Sequence, residues 1–152
     1  MSGLYHSFQL VDRKSFDYSD YCKLISTQHP VKIHDNVIHY ILDTLKWITS
    51  YNPATNEEMT GLSLYGPTVV RKEGAHCALR IFSAWADLFS NGPSVLDLSG
   101  PYTWKNSDPK RGNFTKVTVK RDEIVNALRE VKDFLQKILD ASDEIYLLHL
   151  GL

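Results

Sequence analysis

The clearest structural pattern in this chain lies in residues 114–150, which read FTKVTVKRDEIVNALREVKDFLQKILDASDEIYLLHL. In residues 124–139, apolar side chains recur at spacings of three and four, the period of an amphipathic helix with one buried face. Residues 114–120 alternate with a period of two, as in a strand that has one wet face. Residues 145–150 are almost continuously apolar, which is typical of a strand covered on both faces. The stretch therefore predicts a strand, a helix and a second strand, and the helix is long enough to connect two parallel strands.

Two further helices are predicted upstream. The first is capped by Asp35, carries a stripe of isoleucine and leucine at helical spacing, and ends before Asn52-Pro53. The second covers residues 73–90 and is apolar around most of its circumference. Because such a helix has to be covered on several sides, we expect it to be largely buried at the centre of the domain.

Three other segments have the composition of strands, namely 5–11, 61–65 and 95–98. Together the elements predict a single α+β domain over residues 1–152, with three helices and a mixed sheet of about five strands. Residues 12–34 and 99–113 show neither the helical nor the strand period of apolar residues. Irregular segments of this length in a small domain are frequently functional, so we expect binding residues there.

Charge and composition argue against several classes of protein. The chain has 17 Lys plus Arg against 18 Asp plus Glu, so no overall field attracts nucleic acid or anionic lipid. The amino terminus lacks the pattern of a signal peptide, and no apolar run approaches the roughly 18 residues of a membrane span. Cys22 and Cys77 lie outside any metal-binding or redox spacing and are predicted to be reduced thiols. We therefore expect a cytoplasmic protein that binds neither membranes nor a cofactor.

The best catalytic candidates are Asp35, His39 and Asp43, which are spaced four apart and so share one face of the predicted helix. A carboxylate beside an imidazole can orient a general base or supply metal ligands. The same residue types also form the polar face of an ordinary amphipathic helix, and the HExxH, GxSxG and phosphate-loop motifs are missing. The sequence therefore assigns no catalytic or metal-binding residue. A small enzyme using His39 with Asp35 or Asp43 remains an alternative, and His149 is predicted to be a hydrogen-bonded core histidine.

The first candidate binding segment is SFDYSDY at residues 15–21, where three aromatic side chains alternate with two aspartates. Tyrosine offers a large amphipathic surface and loses little entropy when it is fixed, which favours it in interfaces. Carboxylates beside it can face a basic partner. In an alternative interpretation, Phe16 and Tyr21 hold the loop on the core and the aspartates are solvated. The predicted partner-binding residues here are Phe16, Asp17, Tyr18, Asp20 and Tyr21.

The second candidate segment is PYTWKNSDPKRGN at residues 101–113, which places an indole and a phenol beside three cations. Such side chains suit a protein interface, cation–π contacts or the stacking of bases. One alternative is therefore a binder of RNA or single-stranded nucleic acid, although no RNA- or DNA-binding motif accompanies the loop. Another is a hairpin-like loop whose Trp104 folds back on the sheet. The predicted partner-binding residues are Tyr102, Trp104, Lys105, Lys110 and Arg111.

Three features together suggest a family. They are the apolar helix reading GAHCALRIFSAW at residues 74–85, the closing YLLHLGL at 146–152, and the lack of a catalytic signature. In these the chain resembles the bacterial immunity proteins of contact-dependent inhibition and other polymorphic toxin systems. The resemblance implies a non-catalytic protein that binds and neutralises a cognate toxin domain. Immunity proteins against nuclease toxins are often strongly acidic, and this chain is not, so the resemblance favours a toxin of another kind.

Overall fold

The computed structural model describes residues 3–12, 29–142 and 144–152. Its helices and strands do not alternate in a regular order along the chain. The helices are α1 (Asp35–Leu45), α2 (Lys72–Ser90) and α3 (Arg121–Asp140). The strands are β1 (Tyr5–Asp12), β2 (Val31–His34), β3 (Thr49–Tyr51), β4 (Glu58–Thr60), β5 (Pro67–Val70), β6 (Val95–Trp104), β7 (Gly112–Lys120) and β8 (Ile145–Leu150). No helix in the described ranges combines the length and the apolar character needed to cross a membrane.

The main sheet is antiparallel, and its six described strands have the order β2-β1-β8-β5-β3-β4. β8 lies at its centre, where Phe8 of β1 and Thr68 of β5 stand on either side of His149. Leu147 packs in the main core, which includes side chains from all three helices, whereas Leu148 packs in a separate cluster with residues of β1 and β5. Both leucines are buried. Both faces of β8 are therefore covered, as its continuous apolar run predicts.

The main core lies between the sheet and the helices. α3 buries the predicted apolar stripe, which is Ile124, Leu128, Val131, Leu135 and Ile138. From α2, the ring of Phe82 packs edge-on against that of Phe8, with 5.9 Å between the centroids. Leu88 on the same helix is 60% exposed. The helix at residues 73–90 thus buries one face and leaves the other in solvent.

β6 and β7 form a separate antiparallel hairpin. Near its base, Leu96 is buried in the main core and Val119 packs against it, which attaches the hairpin to the core. The loop between the strands turns with Asn106 and Ser107 at φ values of 58° and 56°. Most side chains from Ser99 to this loop are exposed. The outer half of the hairpin is therefore open to solvent.

The predicted fold class, a single α+β domain with three helices, is confirmed for the described residues. The main sheet differs from the expected mixed sheet of about five strands, because it has six described strands and all its pairs are antiparallel. β7 and β8 lie in different sheets, so α3 does not connect parallel strands. Alternation in residues 114–120 identifies a strand but not its neighbour, and β7 pairs with β6, the strand that precedes it.

Several predicted boundaries also need correction. Residues 61–65 are not a strand: Gly61 turns the chain with φ of 80°, and β4 and β5 lie on either side. Those strands have three and four residues, too few to show a period. The segment 99–113, expected to be irregular, is mostly the outer part of the hairpin. α1 ends at Leu45, well before Asn52.

Candidate functional site

Three aromatic side chains form an exposed cluster on the outer half of the hairpin. Tyr102 lies opposite Phe114 in the strand register, and their rings meet edge to face with centroids 5.2 Å apart. The Trp104 ring lies 6.2 Å from that of Tyr102. Tyr102, Trp104 and Phe114 are 38%, 50% and 65% exposed. These residues, called here the aromatic cluster, form one continuous patch open to solvent.

A β-bulge determines which face of the hairpin carries the cluster. Ser99 pairs with Lys116 and Tyr102 with Phe114, so β6 has one residue more than β7 between these pairs. Side chains alternate along a strand, and one extra residue moves all later side chains to the opposite face. Tyr102 therefore points away from the face on which Leu98 packs against the core, and it joins Phe114 on the outer face. The bulge turns two aromatic residues of β6 outward.

Local contacts support Tyr102 more than its neighbours. The Tyr102 hydroxyl donates a hydrogen bond of 3.0 Å to the carbonyl of Pro109 in the loop. A Cβ atom at position 112 would lie 2.6 Å from the Tyr102 ring, so Gly112 provides the space that this ring occupies. The indole N–H of Trp104 has no acceptor among the described residues. Tyr102 thus braces the loop, whereas Trp104 offers both a ring and a donor to solvent.

The hairpin is more positive than the rest of the chain. Residues 95–120 hold five Lys or Arg and two Asp, whereas the whole chain has a formal charge of −1. Arg111 Nε lies 3.6 Å from Asp108 Oδ2, and Lys120 Nζ lies 3.8 Å from Glu123 at the start of α3. No ion pair within the described ranges involves the hairpin's other lysines, which are Lys105, Lys110 and Lys116. The aromatic cluster is therefore accompanied by exposed positive charge.

The structure places the sequence-predicted residues of the second segment together on this hairpin. Tyr102, Trp104, Lys105, Lys110 and Arg111 are all exposed. The alternative in which Trp104 folds back on the sheet is wrong, because half of its surface is exposed. The predicted residues of the first segment lie outside the described residues, and they are Phe16, Asp17, Tyr18, Asp20 and Tyr21. Sequence reasoning missed Phe114, although its alternation with Lys116 on β7 indicated an outward side chain.

A second constellation consists of four titratable side chains in a row. His149 Nε2 lies 2.8 Å from His6 Nδ1, and His6 Nε2 lies 2.9 Å from Asp35 Oδ1. Asp35 Oδ2 lies 3.5 Å from His39 Nε2. His6 and His149 are fully buried, whereas the side chain of His39 is 36% exposed. This row, called here the histidine relay, runs from the centre of the sheet to the surface of α1.

The hydrogen bonds of the relay determine where its protons lie. With both imidazoles neutral, the His6 Nε2–H donates to Asp35 and the His149 Nε2–H donates to His6 Nδ1. His149 Nδ1 is then a bare acceptor, and it has no partner among the described residues. Burial, which strips water from the charged form of His149, lowers the pKa of His149 to about 3, and coulombic repulsion between the two imidazoles when both are protonated lowers it in the same direction. His149 is thus the hydrogen-bonded core histidine that the sequence predicts.

The predicted catalytic triplet is only partly brought together. Asp35 and His39 are within reach of each other, but Asp43 is 95% exposed and pairs instead with Lys46 at 3.1 Å. No group of three or more histidine, cysteine, aspartate or glutamate side chains within residues 3–12, 29–142 and 144–152 has the arrangement of a metal site. The buried end of the relay is closed to substrates. The arrangement can hold β1, β8 and α1 together and can orient His39.

Two cavities accompany these features. One, of about 610 Å³, is lined by Arg71, Lys72, Glu73 and Glu144 among others, and the Arg71 guanidinium lies 3.9 Å above the Tyr51 ring. Another, of about 640 Å³, is lined by Asp35, Lys120 and Glu123 among others. Each has charged side chains of both signs in its wall, so neither shows a preference for one class of charged ligand.

Known proteins offer no guide to the role of the hairpin or the relay. No family model matches the chain, and no curated protein or solved structure does. A function for this chain therefore has to be inferred from its exposed side chains and their surroundings.

Proposed function

We propose that this chain is a non-catalytic binding protein of the immunity type, which binds a cognate bacterial toxin domain and neutralises it. The β6–β7 hairpin is the contact surface in this proposal. The observation that carries it is the aromatic cluster of Tyr102, Trp104 and Phe114, which is held together by ring contacts and yet exposed.

The cluster has the composition of an interface hot spot. Trp and Tyr are enriched among residues whose truncation costs about 2 kcal/mol or more of binding free energy. Their rings bury a large area, and the Trp104 indole N–H, which has no acceptor in the described ranges, adds one directional donor. Because the hairpin is fixed at its base by Leu96 and Val119, these side chains are presented without rearrangement of the core. Such preorganisation lowers the entropy cost of association.

The relay gives less support to the alternative of a small enzyme. His6 and His149 are fully buried and cannot contact a substrate, and Asp43 does not join Asp35 and His39. A catalytic group has to come within hydrogen-bonding reach of a substrate, directly or through one water. A binding function needs no chemistry from the relay, since its contacts already connect three elements of the fold.

The proposal is tested with the carboxyl-terminal domain of the protein that the gene immediately upstream encodes. We expect a one-to-one complex in titration calorimetry and protection of cells that express this domain. Trp104→Ala and Phe114→Ala should each weaken binding at least about tenfold, as expected for buried anchors. Trp47→Ala is the matched control, because Trp47 is 69% exposed and lies after α1, outside the hairpin.

Either of two results would contradict the proposal. One is an upstream product that neither harms cells nor binds this chain. The other is a complex whose affinity is unchanged by both hairpin substitutions, which would move the interface elsewhere. Circular dichroism of each variant confirms that a loss of binding is not a loss of fold.

A further inference from the structure

We infer that the partner surface which the hairpin contacts is acidic, with carboxylates around an apolar centre. This inference rests on the proposed function and adds the chemistry of the partner. It also sets the partner apart from a nuclease bound at its phosphate-binding face, because such a face is cationic and would be repelled.

The first support is that the cations of the hairpin are available while its carboxylates are engaged. Asp97 Oδ1 accepts a hydrogen bond of 3.0 Å from the Thr118 hydroxyl. Asp108 Oδ1 accepts one of 3.0 Å from the Lys110 backbone N–H, and its other oxygen faces Arg111 at 3.6 Å. Lys105 and the side chain of Lys110 have no carboxylate partner in the described part of the chain. A partner therefore meets uncompensated positive charge.

The second support is the position of the positive charge around the aromatic cluster. Lys116 follows Phe114 by two residues on β7, so both side chains lie on the outer face. Three further cations lie in the loop just beyond Trp104, and they are Lys105, Lys110 and Arg111. An interface is typically apolar at its centre and polar at its rim. The hairpin has this arrangement, and its five cations outnumber its two carboxylates, Asp97 and Asp108.

The third support is that the positive charge is concentrated in the hairpin. Residues 95–120 carry a formal charge of +3, whereas the whole chain carries −1, so the remaining residues carry −4. Attraction to an acidic partner is therefore strongest when the hairpin faces it. Charge complementarity of this kind orients the encounter and raises the association rate more than it raises affinity.

The ring geometry favours a protein over single-stranded nucleic acid. Stacking of successive bases needs aromatic faces that are open and roughly parallel. Here the planes of Tyr102 and Phe114 are inclined by 69°, and those of Tyr102 and Trp104 by 37°. The edge of one ring covers the face of another. The cluster thus suits insertion into an apolar recess between carboxylates.

The test measures association of the upstream-encoded domain with a triple variant, K105E, K110E and K116E. We expect its association rate in 50 mM NaCl to fall at least about tenfold, and the rate of the unmodified chain to fall about tenfold between 50 and 500 mM NaCl. The matched control is K32E, R129E and K137E, which changes the net charge equally at exposed positions outside the hairpin. We expect the control to change the rate less than about threefold.

The outcomes separate the two proposals. A domain that binds at a rate independent of salt, and equally well to the triple variant, overturns the acidic partner but leaves the proposed function standing. Faster binding by the triple variant also overturns it and indicates a cationic partner. Absence of any complex overturns both. Tighter, salt-sensitive binding of a 20-nucleotide oligothymidylate than of the domain overturns both in favour of nucleic acid.

Discussion

Tyr102 lies directly opposite Phe114 because β6 has one residue more than β7 between this pair and the pair of Ser99 with Lys116. Before the bulge, Leu96 and Val119 face the core as a pair. After it, the even-numbered residues of β6 face solvent. The bulge at Gly100 and Pro101 is therefore what converts an ordinary hairpin into one with an aromatic outer face.

Insertion of one residue between Thr115 and Lys116 on β7 should reverse this effect. Two residues of β7 then lie opposite Gly100 and Pro101, so Tyr102, Trp104 and Phe114 are expected to move together to the opposite face of the hairpin, the face on which Leu98 packs. Binding of the upstream-encoded domain should fall at least about tenfold, as when the anchors are truncated. Pro101→Ala, which keeps the residue count, is the control and should retain most of the affinity. Equal affinity of both variants would show that the bulge does not orient the cluster.

Truncation of the aromatic cluster should leave the fold almost unchanged. Trp104 and Phe114 are 50% and 65% exposed, so Trp104→Ala and Phe114→Ala are expected to change the free energy of unfolding by less than about 0.5 kcal/mol. Leu96→Ala at the hairpin base is the contrast, because Leu96 is buried and its truncation should cost about 2–5 kcal/mol. Urea denaturation measures all three. A loss at Trp104 as large as that at Leu96 would make the cluster a structural element.

Much of the architecture could be predicted because it depends on local periodicity. The stripe on α3 and the apolar run of β8 are long enough to show their periods, and both are buried as expected. The pairing of strands is not local: β8 lies between β1 and β5, which come from distant parts of the chain. No period in the sequence specifies these neighbours, and the short strands β4 and β5 show no period.

The two candidate sites also contain some contacts that the local sequence predicts and others that depend on strand pairing. Asp35 and His39 are four residues apart on a helix, and the structure brings them within 3.5 Å. His6 and His149 are 143 residues apart, and their contact exists only because β1 pairs with β8. Phe114 shows its outward direction by alternation, but its contact with Tyr102 depends on a bulge that the sequence marks only as Gly100-Pro101.

The histidine relay should make stability fall in mild acid. In the unfolded chain His149 titrates near 6.5, whereas in the folded chain its pKa is about 3. Between these values the unfolded state binds a proton that the folded state excludes, so the free energy of unfolding falls as the pH is lowered from 6.5 towards 3. The slope from this group reaches at most about 1.4 kcal/mol per pH unit, and its contribution is fully present above pH 6.5.

Urea denaturation between pH 7.5 and 4.5 isolates this contribution. His149→Gln keeps a donor for His6 Nδ1 but cannot titrate. It should therefore lower the free energy of unfolding at neutral pH and make that free energy depend less on pH below 6.5. His76→Gln, at an exposed position on α2, should retain the dependence of the unmodified chain. If His149→Gln and the unmodified chain lose stability in parallel, His149 is not the group responsible.

Gly74 should be intolerant of even a methyl group, because α2 begins in close contact with β3. A Cβ atom at this position would lie 2.0 Å from the carbonyl oxygen of Thr49, which is backbone and cannot rotate away. Gly→Ala inside a helix normally stabilises by about 1 kcal/mol. Here Gly74→Ala should instead destabilise by about 1–3 kcal/mol, since the helix has to shift from the sheet. Ala84→Gly, at an exposed position of the same helix, should cost only about 0.5–1 kcal/mol from backbone entropy. A stabilised Gly74→Ala variant in denaturant unfolding would show that α2 does not approach Thr49 so closely.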